Sequence, residues 1–196
     1  MLFDIEKWSQ QQFGAVELGD QRRVKRTVQV AKCMLNAPEA SISNQMRGWK
    51  DTKATYRLLN EEDVTHEGLM TPHWEQTRRA AREKTIVLII QDTTNVDYTG
   101  RAVSGLGPIG DGRGYGFMLH NSLAVRPEPR EVLGLMYQKP FLRVPRPSKK
   151  ETSYQRAKRK RESQVWEESV KAIGTAPQGI TWVHTGDRGS DIFTFF

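Results

Sequence analysis

The sequence predicts an α+β protein: helices over residues 1 to about 82, then a mixed β-sheet, and three observations carry that reading. Apolar residues recur with helical period after Asp20; the period changes at Thr85 to an unbroken β-branched run; and a helical stretch precedes the last strand-like segment. A helix in that place is what a parallel crossover needs, and such crossovers are right-handed. With 196 residues, 37% hydrophobic content and five tryptophans, the chain is long and apolar enough for one or two domains with buried cores.

Asp20 follows Leu18-Gly19 and suits an N-cap. Val24, Val28, Ala31 and Leu35 then fall on one face of a helix ending near Asn36 and Pro38, with Arg22, Arg23, Lys25, Arg26 and Lys32 largely on the others. Short helices are expected at 43–49 and 51–59, and a longer one from Thr65 or Thr71 to about Lys84, with Pro72 a place for it to split. This organisation sets a helical domain over 1–64 and a sheet domain over 65–196.

Residues 85–91, Thr-Ile-Val-Leu-Ile-Ile-Gln, lack alternation, the pattern of a strand buried on both faces, and the strand is expected to end at Asp92-Thr93-Thr94. A Gly-rich loop over 105–116 carries Arg113 at its tip as a phosphate contact. Strands at 117–125 and 131–142 are joined by the turn Arg126-Pro127-Glu128-Pro129. A helix follows from about 150 to 173, then a strand over 179–184 that ends at Gly186-Asp187-Arg188. Such a sheet needs cover on both faces, and Ile192, Phe193, Phe195 and Phe196 read as the start of a covering helix, so the isolated chain is expected to be poorly soluble unless it assembles.

Charge is concentrated. Lys plus Arg number 30 against 23 Asp plus Glu, and residues 143–161 alone hold nine bases and one acid, so the remaining residues sum to −1. A uniformly basic coat is excluded and a local anion-binding surface is favoured. Arg156, Lys158, Arg159, Lys160 and Arg161 form its densest part, and phosphate contacts there would make binding steeply salt-dependent. Arg22, Arg23, Lys25 and Arg26 open a capped helix, where a DNA contact and an ordinary solvated face are evenly balanced on residues alone. Cys33 stands alone, the N-terminus is acidic where an export signal needs bases, and the longest apolar run is 86–90. A cytoplasmic, nucleoid-associated protein without membrane contact is expected.

Two strands each deliver an aspartate just past their C-terminal ends. If they are parallel neighbours, Asp92 and Asp187 emerge side by side at the sheet edge where open α/β sheets place their sites. Carboxylates without Cys or His are hard oxygen ligands that suit Mg²⁺ or Mn²⁺, the ions of metal-assisted phosphodiester cleavage. Either aspartate alone is more simply a cap or strand-end residue. Gly105, Gly107 and Gly110 spell a dinucleotide fingerprint, but Pro108 interrupts it and no helix opens after it. His120 reads as structural, and Trp49, Trp74, Trp166 and Trp182 as core or partly buried aromatics.

Six motifs stand in register with one family: 18–23 Leu-Gly-Asp-Gln-Arg-Arg, 56–60 Tyr-Arg-Leu-Leu-Asn, 92–94 Asp-Thr-Thr, 105–110 Gly-Leu-Gly-Pro-Ile-Gly, Arg113-Gly114 through His120-Asn121-Ser122, and Asp187-Arg188 with Asp191-Ile192. Together they make the chain resemble the DDE transposases of bacterial insertion sequences, the transposon-five group, over nearly its whole length. The resemblance implies a helical domain that binds transposon ends, a ribonuclease-H-like catalytic domain, and Asp92 and Asp187 as the first two members of an Asp-Asp-Glu triad holding Mg²⁺ or Mn²⁺. It also implies double-stranded DNA as partner and a dimer in a synaptic complex. No glutamate follows Asp187 in this sequence. The expectation is therefore an N-terminal portion of a transposase with a truncated catalytic domain and little activity alone. The alternatives are a non-catalytic DNA-binding or regulatory short form, and an independent metal-dependent nuclease.

Overall fold

The computed structural model describes residues 3–143, 152, 154 and 161–191. The chain divides into two units, Met1–Gln76 and Thr77–Phe196.

The first unit is helical: α1 Ile5–Phe13, α2 Gln21–Asn36, a single turn α3 Ile42–Gln45, α4 Trp49–Leu59 and most of α5 His66–Ala81. Gly19 adopts φ +71°, a left-handed turn that buries Leu18 on one side and sets Asp20 on the other. Asp20 caps α2 as expected, its carboxylate accepting the Arg22 N–H at 2.8 Å. The buried face of α2 differs from the expected one: Val24, Thr27, Val30 and Cys33 are buried, whereas Ala31 and Leu35 line an apolar cavity of about 650 Å³ with Met34, Ile42 and Leu58. Val16, Leu18 and Val24 form one core cluster, and Val30, Cys33 and Met46 another.

α5 does not split at Pro72. Thr65 Oγ1 accepts the Gly68 N–H at its start, and the buried Pro72 sits inside the helix, where it can donate no bond to the preceding turn. The separate helix expected at 43–49 is only the turn α3, and α4 starts at Trp49, two residues earlier than expected.

The second unit is a five-stranded mixed sheet: β1 Ile86–Asp97, β2 Gly107–Ile109, β3 Gly114–Arg126, β4 Glu131–Phe141 and β5 Thr181–Thr185. The path runs β2-β3-β1-β5, and β4 also pairs with β3. β1 is antiparallel to β3 and parallel to β5, as the crossover predicted, with α6 Gln164–Ile173 preceding β5. The sheet corrects two boundaries. β1 continues to Asp97 rather than stopping at Asp92, because β3 supplies partners from Thr93↔His120 to Asp97↔Gly116, and the Gly-rich loop contributes β2. The part of the crossover helix expected from about 150, with Arg156, Lys158, Arg159 and Lys160, lies outside the described residues, as does the apolar stretch 192–196.

One face of the sheet is covered. Ala81, Val87, Ile89, Ala124, Met136 and Ile173 form its apolar core. Along the same face of β1 the side chains turn polar toward the C-terminal end, through Gln91 to Thr93, and β3 matches them with His120 and Ser122. The opposite face leaves Ile86, Ile90 and Val183 between 41% and 47% exposed, so β1 is not buried on both faces as its composition predicted. Among the described residues, no helix is long and apolar enough to cross a membrane.

Removing the buried Ile89 side chain (I89A) deletes core contacts and is expected to cost about 2–5 kcal/mol in urea unfolding of the full chain. Ile90→Ala, one residue on and facing outward, is expected to change stability by less than about 1 kcal/mol.

Candidate nucleic-acid interface and carboxylate pair

The bases nominated on α2 are largely occupied. Arg22 forks onto Asp20 at 2.7 Å, and its guanidinium holds that carboxyl down at about 2. Arg23 reaches Glu61 at 2.5 Å and Asp63 at 3.2 Å and also donates to the Leu18 carbonyl. Arg26 pairs with Asp51 at 2.8 Å, and Lys32 with Glu6. Of the four predicted contacts on this helix, Lys25 alone has no carboxylate partner among the described residues, and it is exposed.

A second helix presents what α2 does not. Thr52, Thr55 and Leu58 bury one side of α4. Trp49, Lys50, Lys53, Tyr56, Arg57 and Asn60 are all exposed and recur at helical spacing on the other. Trp49 is 77% exposed and Tyr56 47%, which corrects the expectation of a sheltered Trp49. Lys50, Lys53 and Arg57 make no ion pair among the described residues. Three bases beside two aromatic rings on one helix face provide cationic phosphate contacts and flat apolar surfaces for sugar or base edges. The 49–57 spacing carries this signal in the sequence.

This unit is thus a small helical domain with a basic, aromatic outer face, the kind of surface that a nucleic-acid-binding domain presents. Residues 5–64 match the family model described as transposase DNA-binding, which spans α1 to α4 and the turn into α5. The N-terminal region is accordingly similar to the DNA-binding domain of transposases, and DNA is the partner which that similarity supports.

In the sheet unit, the parallel register ends at Ile90↔Thr185, so Asp92 and Asp187 each follow two residues after the last paired rung, Asp92 still within β1 and Asp187 in the turn after β5. Both are exposed. Asp92 accepts the Thr94 hydroxyl at 3.2 Å, and Asp187 accepts the Gly189 N–H at 2.7 Å as it caps the 3₁₀ turn Arg188–Ser190. Each carboxylate keeps its second oxygen outside these bonds, so two hard oxygen donors face solvent. Asp92 lies within β1 and on the opposite face of the strand from Thr93, whereas Asp187 lines a cavity of about 290 Å³ with Thr93, Met118, Glu162, Ser163 and Trp166. Among the described residues, no group of three or more His, Cys, Asp or Glu is disposed to hold a metal ion. Arg113 is exposed at its loop tip, 3.6 Å from Asp111, and Arg161 is exposed before α6.

Behind the aspartates runs a buried polar chain. Thr93 Oγ1 lies 2.8 Å from His120 Nδ1, His120 Nε2 lies 3.0 Å from Gln91 Oε1, and Gln91 Nε2 lies 2.9 Å from His184 Nδ1. With the amide so oriented, Gln91 Oε1 accepts from His120 Nε2–H, which leaves His120 Nδ1 to accept the Thr93 hydroxyl; Gln91 Nε2–H donates to His184. Trp166 packs edge-on against His120, with ring centroids 4.8 Å apart, and Ser122 bonds Ser169 at 2.6 Å beside them. Burial pushes His120 down to about 4; the nearby Asp92 opposes the drop and Lys139 adds to it. A neutral imidazole with both nitrogens engaged and an amide as partner is poorly placed to take a proton, so His120 is structural, as the sequence suggested.

The sign of its pH effect follows. The unfolded chain protonates His120 near its ordinary value of 6.5, the folded chain only near 4. Its contribution is therefore complete above pH 6.5 and is lost as pH falls toward 4. Wild-type protein is expected to lose more melting temperature between pH 7 and pH 4.5 than His120→Gln, measured by circular dichroism at matched ionic strength.

Proposed function

We propose that this chain is a transposase polypeptide of the DDE type that binds the ends of a mobile DNA element through its N-terminal helices. In this reading its ribonuclease-H-like sheet holds Asp92 and Asp187 as ligands of a Mg²⁺ or Mn²⁺ ion. The observation that carries the reading is the coincidence of the transposase DNA-binding match over residues 5–64 with the exposed Trp49, Lys53 and Tyr56 face of α4 inside that span. The position of both aspartates two residues beyond the last β1–β5 rung, each exposed, supports the second half. The ion, when bound, supplies a Lewis acid that lowers the pKa of water and neutralises charge at the phosphate. The protein's part is to hold the carboxylates and to bring the DNA backbone to them with its bases. Pairing of two chains in a synaptic complex belongs to the same reading, and so does regulation by a form that binds without cutting.

On α4, the triple variant Lys50→Ala, Lys53→Ala, Arg57→Ala is expected to flatten the slope of log affinity against log salt by about two to three for a transposon-end duplex. Arg22→Ala, which removes a base already neutralised by Asp20, is expected to leave that slope nearly unchanged. Fluorescence anisotropy over a salt series measures both.

Metal-dependent nicking of the same duplex, abolished by Asp92→Ala and by Asp187→Ala, is the expected result for the catalytic half of the reading. Tight binding with no nicking in Mg²⁺ or Mn²⁺ would leave the binding-only form as the function.

A further inference from the structure

The sheet face that carries Asp92 ends in a group of aromatic rings. Side chains alternate along β1 and β3, and the pairing of the two strands runs without a break from Leu88↔Val125 to Asp97↔Gly116. Met118 and His120 are buried on the covered face, so Tyr115, Phe117 and Asn121 stand on the other, as do Val96 and Asp92, the partners of Phe117 and Asn121. The ladder continues one step past β1, where the Tyr98 N–H donates to the Tyr115 carbonyl at 2.8 Å. Tyr98 therefore shares that face, and its ring stacks on Phe117 with centroids 6.2 Å apart and planes 28° from parallel. Pro108 of β2 pairs with Tyr115 at the outer edge.

The backbone fixes these rings. The Tyr115 N–H donates to Thr99 Oγ1 at 2.8 Å, and the turn after Tyr98 closes on a bond from the Arg101 N–H to the Tyr98 carbonyl at 2.9 Å. Between Tyr115 and Phe117, Gly116 brings β3 so close to β1 that a Cβ there would stand 2.0 Å from the Val96 carbonyl oxygen. Tyr115 is 40% exposed, Tyr98 and Phe117 are half-buried, and among the described residues none of the three belongs to an apolar core cluster. Arg101 and Arg113, both exposed, sit in the turns that border the rings. Arg113 Nε lies 3.6 Å from Asp111, and Arg101 makes no ion pair among the described residues. Flat rings bordered by guanidinium groups suit bases joined by phosphates, and it is the unpaired strand that leaves its base faces free to stack on a protein ring.

We propose that this patch is a stacking platform for unpaired bases of DNA: Tyr115 covers one base, the Tyr98–Phe117 pair its neighbour, and Arg101 and Arg113 meet the phosphates. It adds a second DNA surface to the reading above, with duplex on the α4 face and single strand on the sheet face. Val96, beside Phe117, lies four residues beyond Asp92 along β1, about 13 Å at the rise of a strand. That is the length of about four stacked nucleotides. The stacking itself needs neither Asp92 nor a metal ion; only the distance to a cut phosphate rests on the catalytic reading.

The test uses the full chain with a single-stranded oligonucleotide carrying 2-aminopurine, whose fluorescence falls when a ring stacks on it, and a labelled transposon-end duplex read by anisotropy. Wild type is expected to quench the single strand. Tyr115→Ala, a change at an exposed ring outside the core clusters, should weaken single-strand affinity by about fivefold or more, as loss of one stacked ring does, and leave duplex affinity unchanged. Tyr115→Phe should bind as wild type and Tyr115→Leu as Tyr115→Ala, which separates stacking from general apolar contact. The α4 triple variant should do the reverse, losing duplex affinity and keeping the quench at saturation. No quench by wild type, or wild-type single-strand affinity in Tyr115→Ala, overturns the platform, while the duplex result decides the α4 reading separately. Self-association that Tyr115→Ala abolishes, with no quench of the single strand, overturns it in favour of a second copy of the chain on this face.

Discussion

Gln91 sits at the centre of the sheet with an amide that must satisfy both its ends in a place that water does not reach. A buried amide left half-paired costs on the order of 1–3 kcal/mol, so the strands on either side are constrained to bring partners to it. β3 brings His120 to the oxygen and β5 brings His184 to the nitrogen. The strand order β3-β1-β5, one neighbour antiparallel and one parallel, is therefore locked by a polar requirement as much as by the apolar cluster around Ile89. Hydrophobic packing tolerates small slips; a single amide between two imidazoles does not. A slip of one residue in β1 would put Gln91 on the open face and present Asp92 to His120 and His184.

The distribution of charge in the first unit follows a similar logic. α2 is rich in bases, yet its arginines are matched to Asp20, Asp51, Glu61 and Asp63. These carboxylates come from the α2 cap, from the first turn of α4 and from the segment after it, so the pairs help to knit short helices whose apolar clusters are small. Exposed pairs of this kind add little stability each, and their main effect is on where positive charge remains available. It remains on Lys25 and along the outer face of α4. Net charge counted along the sequence could not separate the two populations, because the distinction lies in which carboxylates the fold brings alongside.

Local signals carried far into this structure. The Asp20 cap, the change of period at Thr85, the 126–129 turn and the parallel return of the last strand all depend on neighbours in sequence or on a rule of handedness, and each appears where expected. Misreadings occurred where a distant partner decided. The residues Thr93 to Asp97 mix strand formers with Asn95 and Asp97, which favour turns, and the segment is extended because β3 pairs with it. Pro72 stays within α5, where it is buried, against the usual breaking tendency of that residue. On α2, burial falls on Val24, Thr27, Val30 and Cys33, one helical row from the expected face, because the clusters formed with Val16, Leu18 and Met46 lie on that side. For the site, Asp187 stands just past β5 as expected whereas Asp92 lies inside β1 rather than past its end, and the Gln91 bridge was not legible, since a glutamine at the end of an apolar run has no signature until its two histidines are placed.

Trp49 also has an optical consequence. Of the five tryptophans, Trp74 and Trp166 are buried and Trp8 and Trp182 partly covered, whereas Trp49 stands 77% open on α4. Its indole emits from water while the other four emit from protein surroundings. A soluble quencher such as iodide meets it first, so the red edge of the protein's own fluorescence belongs mainly to this one side chain. The helix face that the domain turns toward solvent thus carries a built-in dye, and whatever settles on it will change the colour of the emission without a label.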